Sequence, residues 1–183
     1  MIYTLTVDCV WGVYLREPCR RVIEMPADAG LFDLHHAIQQ AVRFDNDHLF
    51  EFYAARTERS RPRYPIGAEA FEQSAGGIPD DPMQEMLQCS GIRRGLRDET
   101  IPTASQREGL KWAARLAGRE DPRLDEVFPL PKPLKLYYWF DFGDDWKFEI
   151  KKGRQEKERE PRVKYPRVIE RAGPNPVQYP SVE

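Results

Sequence analysis

Hydrophobic and polar positions alternate over the first eleven residues. Tyr3, Leu5, Val7, Cys9 and Trp11 fall on one side of an extended chain, and Thr4, Thr6, Asp8 and Val10 on the other. A period of two predicts a strand with one buried face. Residues 19–25, CRRVIEM, make a second strand closed by Pro26, and the linker holding Gly12, Glu17 and Pro18 predicts a long-looped antiparallel hairpin. The period then changes. Leu31, Leu34, Ile38, Ala41 and Val42 recur at spacings of three and four, which predicts a helix with one apolar stripe and Asp28 as its N-cap or first-turn acid. The turn-forming run Asp45-Asn46-Asp47 ends it near Phe44, and residues 48–54 return to a strand with His48, Phe50 and Phe52 on one face.

From 55 to 104 the periodicity disappears among five prolines and five glycines. An excursion of that length is unusual inside a compact domain, and one short helix is expected within it around Pro82–Cys89. Ser105 to Ala117 reads as a further helix closed by Gly118. Leu134, Leu136, Tyr138 and Phe140 then alternate with Lys135, Tyr137, Trp139 and Asp141, and Trp146, Phe148 and Ile150 alternate with Lys147, Glu149 and Lys151. With Gly143-Asp144-Asp145 between them, these runs predict a β-hairpin. Residues 153–162 contain no apolar side chain except that of a proline and are expected to be solvated loop or disordered. Residues 163–170 suit a last strand, and 172–183 an extended Pro-rich tail. The element order predicts one α+β domain over residues 1–183, with a largely antiparallel sheet built from hairpins and helices packed on one face.

Composition narrows the class. A chain of 183 residues with twenty-one aromatics can bury a sizeable core. The net charge of −2 argues against a generally basic nucleic-acid coat, but the charge is uneven. Residues 147–171 hold ten Lys/Arg against five Asp/Glu, which leaves 18 against 25 for the rest. Cys9, Cys19 and Cys89 are few, odd in number and without CxxC spacing, so neither a disulfide scaffold nor a zinc knuckle is indicated. The N-terminus lacks the pattern of a secretory leader, and no apolar run is long enough to span a bilayer, so the cytoplasm and no membrane partner are expected.

Four groups of residues carry candidate chemistry. Asp141, Asp144 and Asp145, beside Trp146, place three carboxylates within five residues. Such oxygens suit a hard divalent cation, while the commoner role of such a run is a turn in which Asp side chains bond their own backbone. Asp141-Phe142-Gly143 matches a kinase triplet, but the loops a kinase needs around it are missing. His35, on the helix stripe, and His48, on its strand, could approach each other and Asp33, Asp45 or Asp47, the beginning of a zinc or iron site, or could be hydrogen-bonded core histidines. Arg56, Arg59, Arg61 and Arg63, with a second cluster at Arg93, Arg94 and Arg97, suit phosphate and base-stacking contacts or ordinary solvated surface. No nucleophile elbow, phosphate loop or dinucleotide fingerprint occurs.

Taken together, four segments resemble the plasmid pRiA4b ORF-3-like family. They are the strand pair ending in Arg20-Arg21-Val22, the helix Leu31-Phe32-Asp33-Leu34-His35, the run His48 to Phe52, and Tyr138 to Trp146 with its Phe-Gly-Asp-Asp-Trp core. The tail Gly173-Pro174-Asn175-Pro176 is also similar. The resemblance implies an α+β fold and no established reaction. Relatives often carry a His two residues after the hairpin Trp, where this chain has Phe148, so one possible metal ligand is missing. Some relatives bear a resolvase-like label, which no recombinase motif supports here. The expectation is a non-catalytic module, associated with plasmid or mobile-element biology, that binds a macromolecular partner and needs no cofactor. Its surface is expected around Asp141, Asp144, Asp145 and Trp146 beside the 55–104 excursion. The alternatives are a nucleic-acid-binding accessory protein, or a metal-dependent hydrolase using His35 and His48.

Overall fold

The computed structural model describes residues 1–67 and 102–180. Seven strands form one sheet: β1 (Ile2–Trp11), β2 (Cys19–Pro26), β3 (Phe50–Ala55), β4 (Tyr64–Ile66), β5 (Lys135–Phe140), β6 (Trp146–Lys157) and β7 (Arg167–Ala172). Their order is β4-β3-β5-β6-β1-β2-β7, and every pairing is antiparallel. Helices α1 (Leu31–Val42), α2 (Ala104–Leu116) and the single turn α3 (Leu124–Val127) share one core cluster with a single face of the sheet. The architecture is α+β with its helices on that face.

The alternation in β1 buries Tyr3, Leu5, Val7 and Cys9 toward the helices, with Leu5 fully inaccessible. Trp11, the last residue of the pattern, is 39% exposed because a register shift after Cys9 turns it to the opposite face, across from Lys147. Helix α1 buries Leu31, Leu34, Ile38, Ala41 and Val42 as its stripe requires. Its start differs from expectation. Gly30, not Asp28, is the N-cap, and the first-turn donors are met by Asp33, which accepts from the Gly30 amide at 3.3 Å, and by the distant Asp121, which accepts from Phe32 N at 3.0 Å. Thr103 and Gln106 form a reciprocal capping box at the start of α2, and Gly118 (φ +74°) follows its C-cap.

Three further expectations change. His48 lies before β3 and is exposed, so only Phe50 and Phe52 of its predicted face enter the strand. Residues 153–157, expected as loop, continue β6, with Tyr3 opposite Glu156 and Ile2 opposite Lys157. Charged side chains are tolerated there because neighbours satisfy them: Lys157 meets Glu24 at 2.6 Å, and Glu156 meets Lys152 at 2.7 Å. The excursion is also shorter than 55–104, since β4 pairs with β3 at Phe52, Tyr53 and Ala54, and α2 starts at Ala104. The helix expected at Pro82–Cys89 and the cluster Arg93, Arg94 and Arg97 lie outside the described residues.

Candidate functional site

The hairpin turn Asp141–Asp145 is shaped by its carboxylates. Asp141 (φ +51°) and Asp145 (φ +57°) both adopt the left-handed conformation that Asp tolerates better than most residues. Asp141 Oδ1 accepts from the amides of Gly143 (3.0 Å) and Asp144 (3.3 Å), the side-chain-to-backbone pattern that stabilises such turns. Asp145 pairs with Lys147 at 2.8 Å. Burial and the neighbouring Asp141 charge raise the Asp144 carboxyl above its ordinary range. Trp146 belongs to no surface: it is fully buried, 5.0 Å from the Phe44 ring and packed so closely on Gly12 that a Cβ there would stand 2.2 Å from the indole. Gly12 in the β1–β2 loop and Trp146 at the start of β6 thus lock two distant segments together. The signal that could have found this is a glycine immediately following a strand.

His35 and His48 are held in separate networks. His35 is 1% exposed and stacks on Phe50 with centroids 3.8 Å apart. Its Nε2 lies 2.7 Å from Asn46 Oδ1, and its Nδ1 lies 2.6 Å from the Tyr138 hydroxyl, which also accepts from Gln39 Nε2 at 2.8 Å. This pattern assigns the proton of the neutral ring to Nε2 and makes Tyr138 the donor to Nδ1. Burial lowers the His35 pKa to about 4. Nε2 carries the proton and the Nδ1 lone pair accepts from Tyr138, so this arrangement holds no free lone pair for a metal. Exposed His48 has its Nε2 3.0 Å from the Tyr179 hydroxyl, 3.5 Å from Asp141 Oδ2 and 3.7 Å from Asp47 Oδ1. Tyr179 in turn donates to Asp47 Oδ2 at 2.6 Å, and Gln178 bonds the backbone of Asp45 in both directions. Among the described residues, no three His, Cys, Asp or Glu side chains group so as to hold a metal ion.

The arginines after β3 turn onto their own protein. On the sheet face away from the helices, Glu51, Trp139, Lys147 and Trp11 form one cross-strand row. The Arg63 guanidinium stands 4.7 Å from the Trp139 ring centroid and 3.5 Å from Glu51, and Arg59 stands 3.8 Å over Trp11. Burial raises the Glu51 carboxyl, and Arg63 and Arg61 oppose the shift. Arg56 and Arg61 are exposed. A second row runs Tyr53, Tyr137, Glu149, Asp8 and Arg20. Lys151 bridges Glu149 (2.8 Å) and Asp8 (3.2 Å), Lys135 meets Glu149 (2.9 Å), and Arg167 meets Glu24 (2.7 Å). Much of the positive surplus after residue 146 is therefore matched by carboxylates on neighbouring strands.

One end of the molecule gathers four loops that are remote in sequence. Val13 N donates to Asp144 O at 2.9 Å, Asp141 N donates to Leu49 O at 3.1 Å, and the tail reaches Asp47 through Gln178 and Tyr179. Arg21, only 2% exposed, ties the tail down by donating to Ala172 O (3.1 Å), Gly173 O (3.2 Å) and Asn175 Oδ1 (2.5 Å), and it also caps Ala41 O at the end of α1. Between the β1–β2 loop and this tail lies a groove of about 620 Å³, lined by Tyr14, Leu15, Arg16, Glu17 and the tail segments Pro174–Val177 and Pro180. In the same four loops, Val13 (58% exposed), Tyr14 (39%), Leu49 (58%), Val177 (58%) and Tyr179 (50%) present apolar surface. Hairpin periodicity points to the Asp141–Asp145 turn, but a tail read as coil hides its half of the groove.

A family model described as Plasmid pRiA4b ORF-3-like protein matches residues 12–178. A crystallised protein of unknown function from Methanosarcina mazei Go1 aligns with 93% of this chain and 68% of its own, at 21% identity and a TM-score of 0.49. No curated protein matches the chain. Among the described residues, no helix is long and apolar enough to cross a membrane.

Proposed function

The chain belongs to the plasmid pRiA4b ORF-3-like family, and we propose that it acts as a non-catalytic binding module whose four-loop end recognises a protein partner. One observation carries this reading. Of the nine large hydrophobic side chains exposed among the described residues, five (Val13, Tyr14, Leu49, Val177 and Tyr179) belong to these loops, and two of them, Tyr14 and Val177, line a groove with tyrosine and proline in its walls. Apolar side chains concentrated at one site mark interaction surfaces, whereas scattered ones need no explanation. Tyrosine and proline add contact area at low entropic cost, a property of grooves that take extended peptides. The titratable groups support a binding role over a hydrolytic one, since His35 is neutral and doubly bonded and Asp141 is engaged in its own turn. Components of plasmids and other mobile elements are the first partners to try.

A random-peptide display selection against the folded protein tests the reading. Enriched peptides should share an apolar or proline-containing motif and lose at least about tenfold in affinity when Tyr14→Ser and Val177→Ser are combined, roughly 1.4 kcal/mol. Selected peptides that ignore both substitutions would move the site elsewhere. Saturable binding of DNA or RNA with a steep salt dependence would replace this reading with the nucleic-acid one.

A further inference from the structure

Cys9 in β1 and Cys19 in β2 stand directly opposite each other in the antiparallel register. Opposed residues of such a pair project to the same face, with Cα atoms roughly 4.5–5.5 Å apart. That separation lies inside the ~4.4–6.8 Å a disulfide spans. Both are free thiols in the structure, 8% and 4% exposed, and they form the last rung before the loop that walls the groove. The two sense each other: burial raises the Cys9 thiol most, with Cys19 adding to it. Burial also raises Cys19, but the guanidinium groups of Arg21 and Arg171 oppose the shift.

We propose that Cys9 and Cys19 close a cross-strand disulfide, which makes the base of the β1–β2 loop a thiol–disulfide switch. The oxidant is a low-molecular-weight disulfide. Deprotonated Cys19 Sγ attacks one of its sulfurs, the S–S bond breaks, and one small thiolate leaves and takes up a proton. Cys9, as thiolate, then attacks Sγ of Cys19 in the mixed disulfide and expels the second small thiol. Two electrons pass from the protein to the small disulfide, and the two protons lost by the cysteines end on the two small thiols. Cys19 goes first because its neighbouring positive charges favour the thiolate, the attacking form. The product rings residues 10–18, including Tyr14 to Glu17 of the groove wall. The bond stands independently of the recognition reading above.

The test uses the full chain carrying Cys89→Ser, folded as judged by circular dichroism and exposed to oxidised glutathione at mildly alkaline pH. Free thiols are then alkylated and the digest is read by mass spectrometry. The expected product is a peptide containing Cys9 joined to one containing Cys19, abolished by dithiothreitol. With Cys9→Ser added, a glutathione adduct should remain on Cys19. Recovery of both cysteines in alkylated form would overturn the proposal. So would a glutathione adduct that persists on Cys19 while Cys9 is intact, or a cross-link that forms only in urea.

Discussion

Burial holds His35 neutral, against the Asn46 hydrogen bond that favours the charged ring, so its protonation is linked to folding. The folded pKa lies near 4 and the ordinary value is 6.5. Between those values the unfolded chain binds more protons, and the His35 contribution to stability is complete above about 6.5 and lost as pH falls toward 4. At roughly 1.4 kcal/mol per unit, the loss has an upper bound of about 3 kcal/mol. Asp8, Glu24 and Glu149, lowered by their cationic partners, act in the same direction at lower pH, while the raised Glu51 and Asp144 act against it. Urea midpoints at pH about 7 and about 4.5 should therefore diverge less in His35→Gln than in the parent protein. An unchanged difference would show that the carboxylates alone set the profile. Residue-level chemistry was only half legible in the sequence. The helix stripe placed His35 facing the core, but of its partners only Asn46 is near in sequence, while Tyr138 lies 103 residues along the chain.

At the scale of elements, Arg21 joins β2, the end of α1 and the tail beyond β7. Among the described residues it makes no ion pair with a carboxylate and is met by carbonyl oxygens, including that of Ala41 at the negative end of a helix. Lysine cannot reproduce a planar fork serving several acceptors. Arg21→Lys should lower stability by about 2 kcal/mol. Hydrogen exchange should accelerate in β7 more than in β5, because the tail and edge strand lose their anchor while the centre of the sheet keeps its neighbours. Uniform acceleration would mean that Arg21 supports the whole core. The edge itself is guarded. A shift in register between Val22 and Ile23 leaves Ile169 as an extra residue in β7, and bulges and charges on an edge discourage pairing with other chains. The β5–β6 hairpin was readable from its alternation, whereas the continuation of β6 through Gly153–Lys157 was not. The charged residues there follow no hydrophobic period, and it is pairing with β1 and the Lys157–Glu24 contact that make them strand-compatible.

At the scale of the whole molecule, much of the charge on the described residues is satisfied within the protein. Arg59 and Arg63 cover aromatic rings, and Lys147, Lys151, Lys157 and Arg167 meet carboxylates. The combined Arg59→Ala and Arg63→Ala protein should lose about 1–3 kcal/mol at neutral pH, since buried Glu51 loses its nearer counter-charge and keeps only Arg61. Part of that loss should return on acidification. A carboxyl whose folded pKa is raised binds its proton more tightly in the native state, so stability is regained as pH falls through that value. A surface built for phosphate would behave differently, with stability nearly unchanged and nucleic-acid affinity lost. Chemical unfolding beside an anisotropy titration separates the two.

The sequence by itself determined the fold class and the longer elements, though not β4 or α3, because periods of two and of 3.6 follow from local backbone geometry and show in any short window. It also marked the hairpin turn through its Gly and Asp residues. Only the tertiary structure decided which distant pieces meet: Gly12 with Trp146, Arg21 with Asn175, His48 with Tyr179, and Cys9 across from Cys19. Those meetings depend on register and on the path of loops and tail, where one residue of slip changes every partner. The groove arises in the same way, from two segments that each look like ordinary coil until the fold sets them side by side.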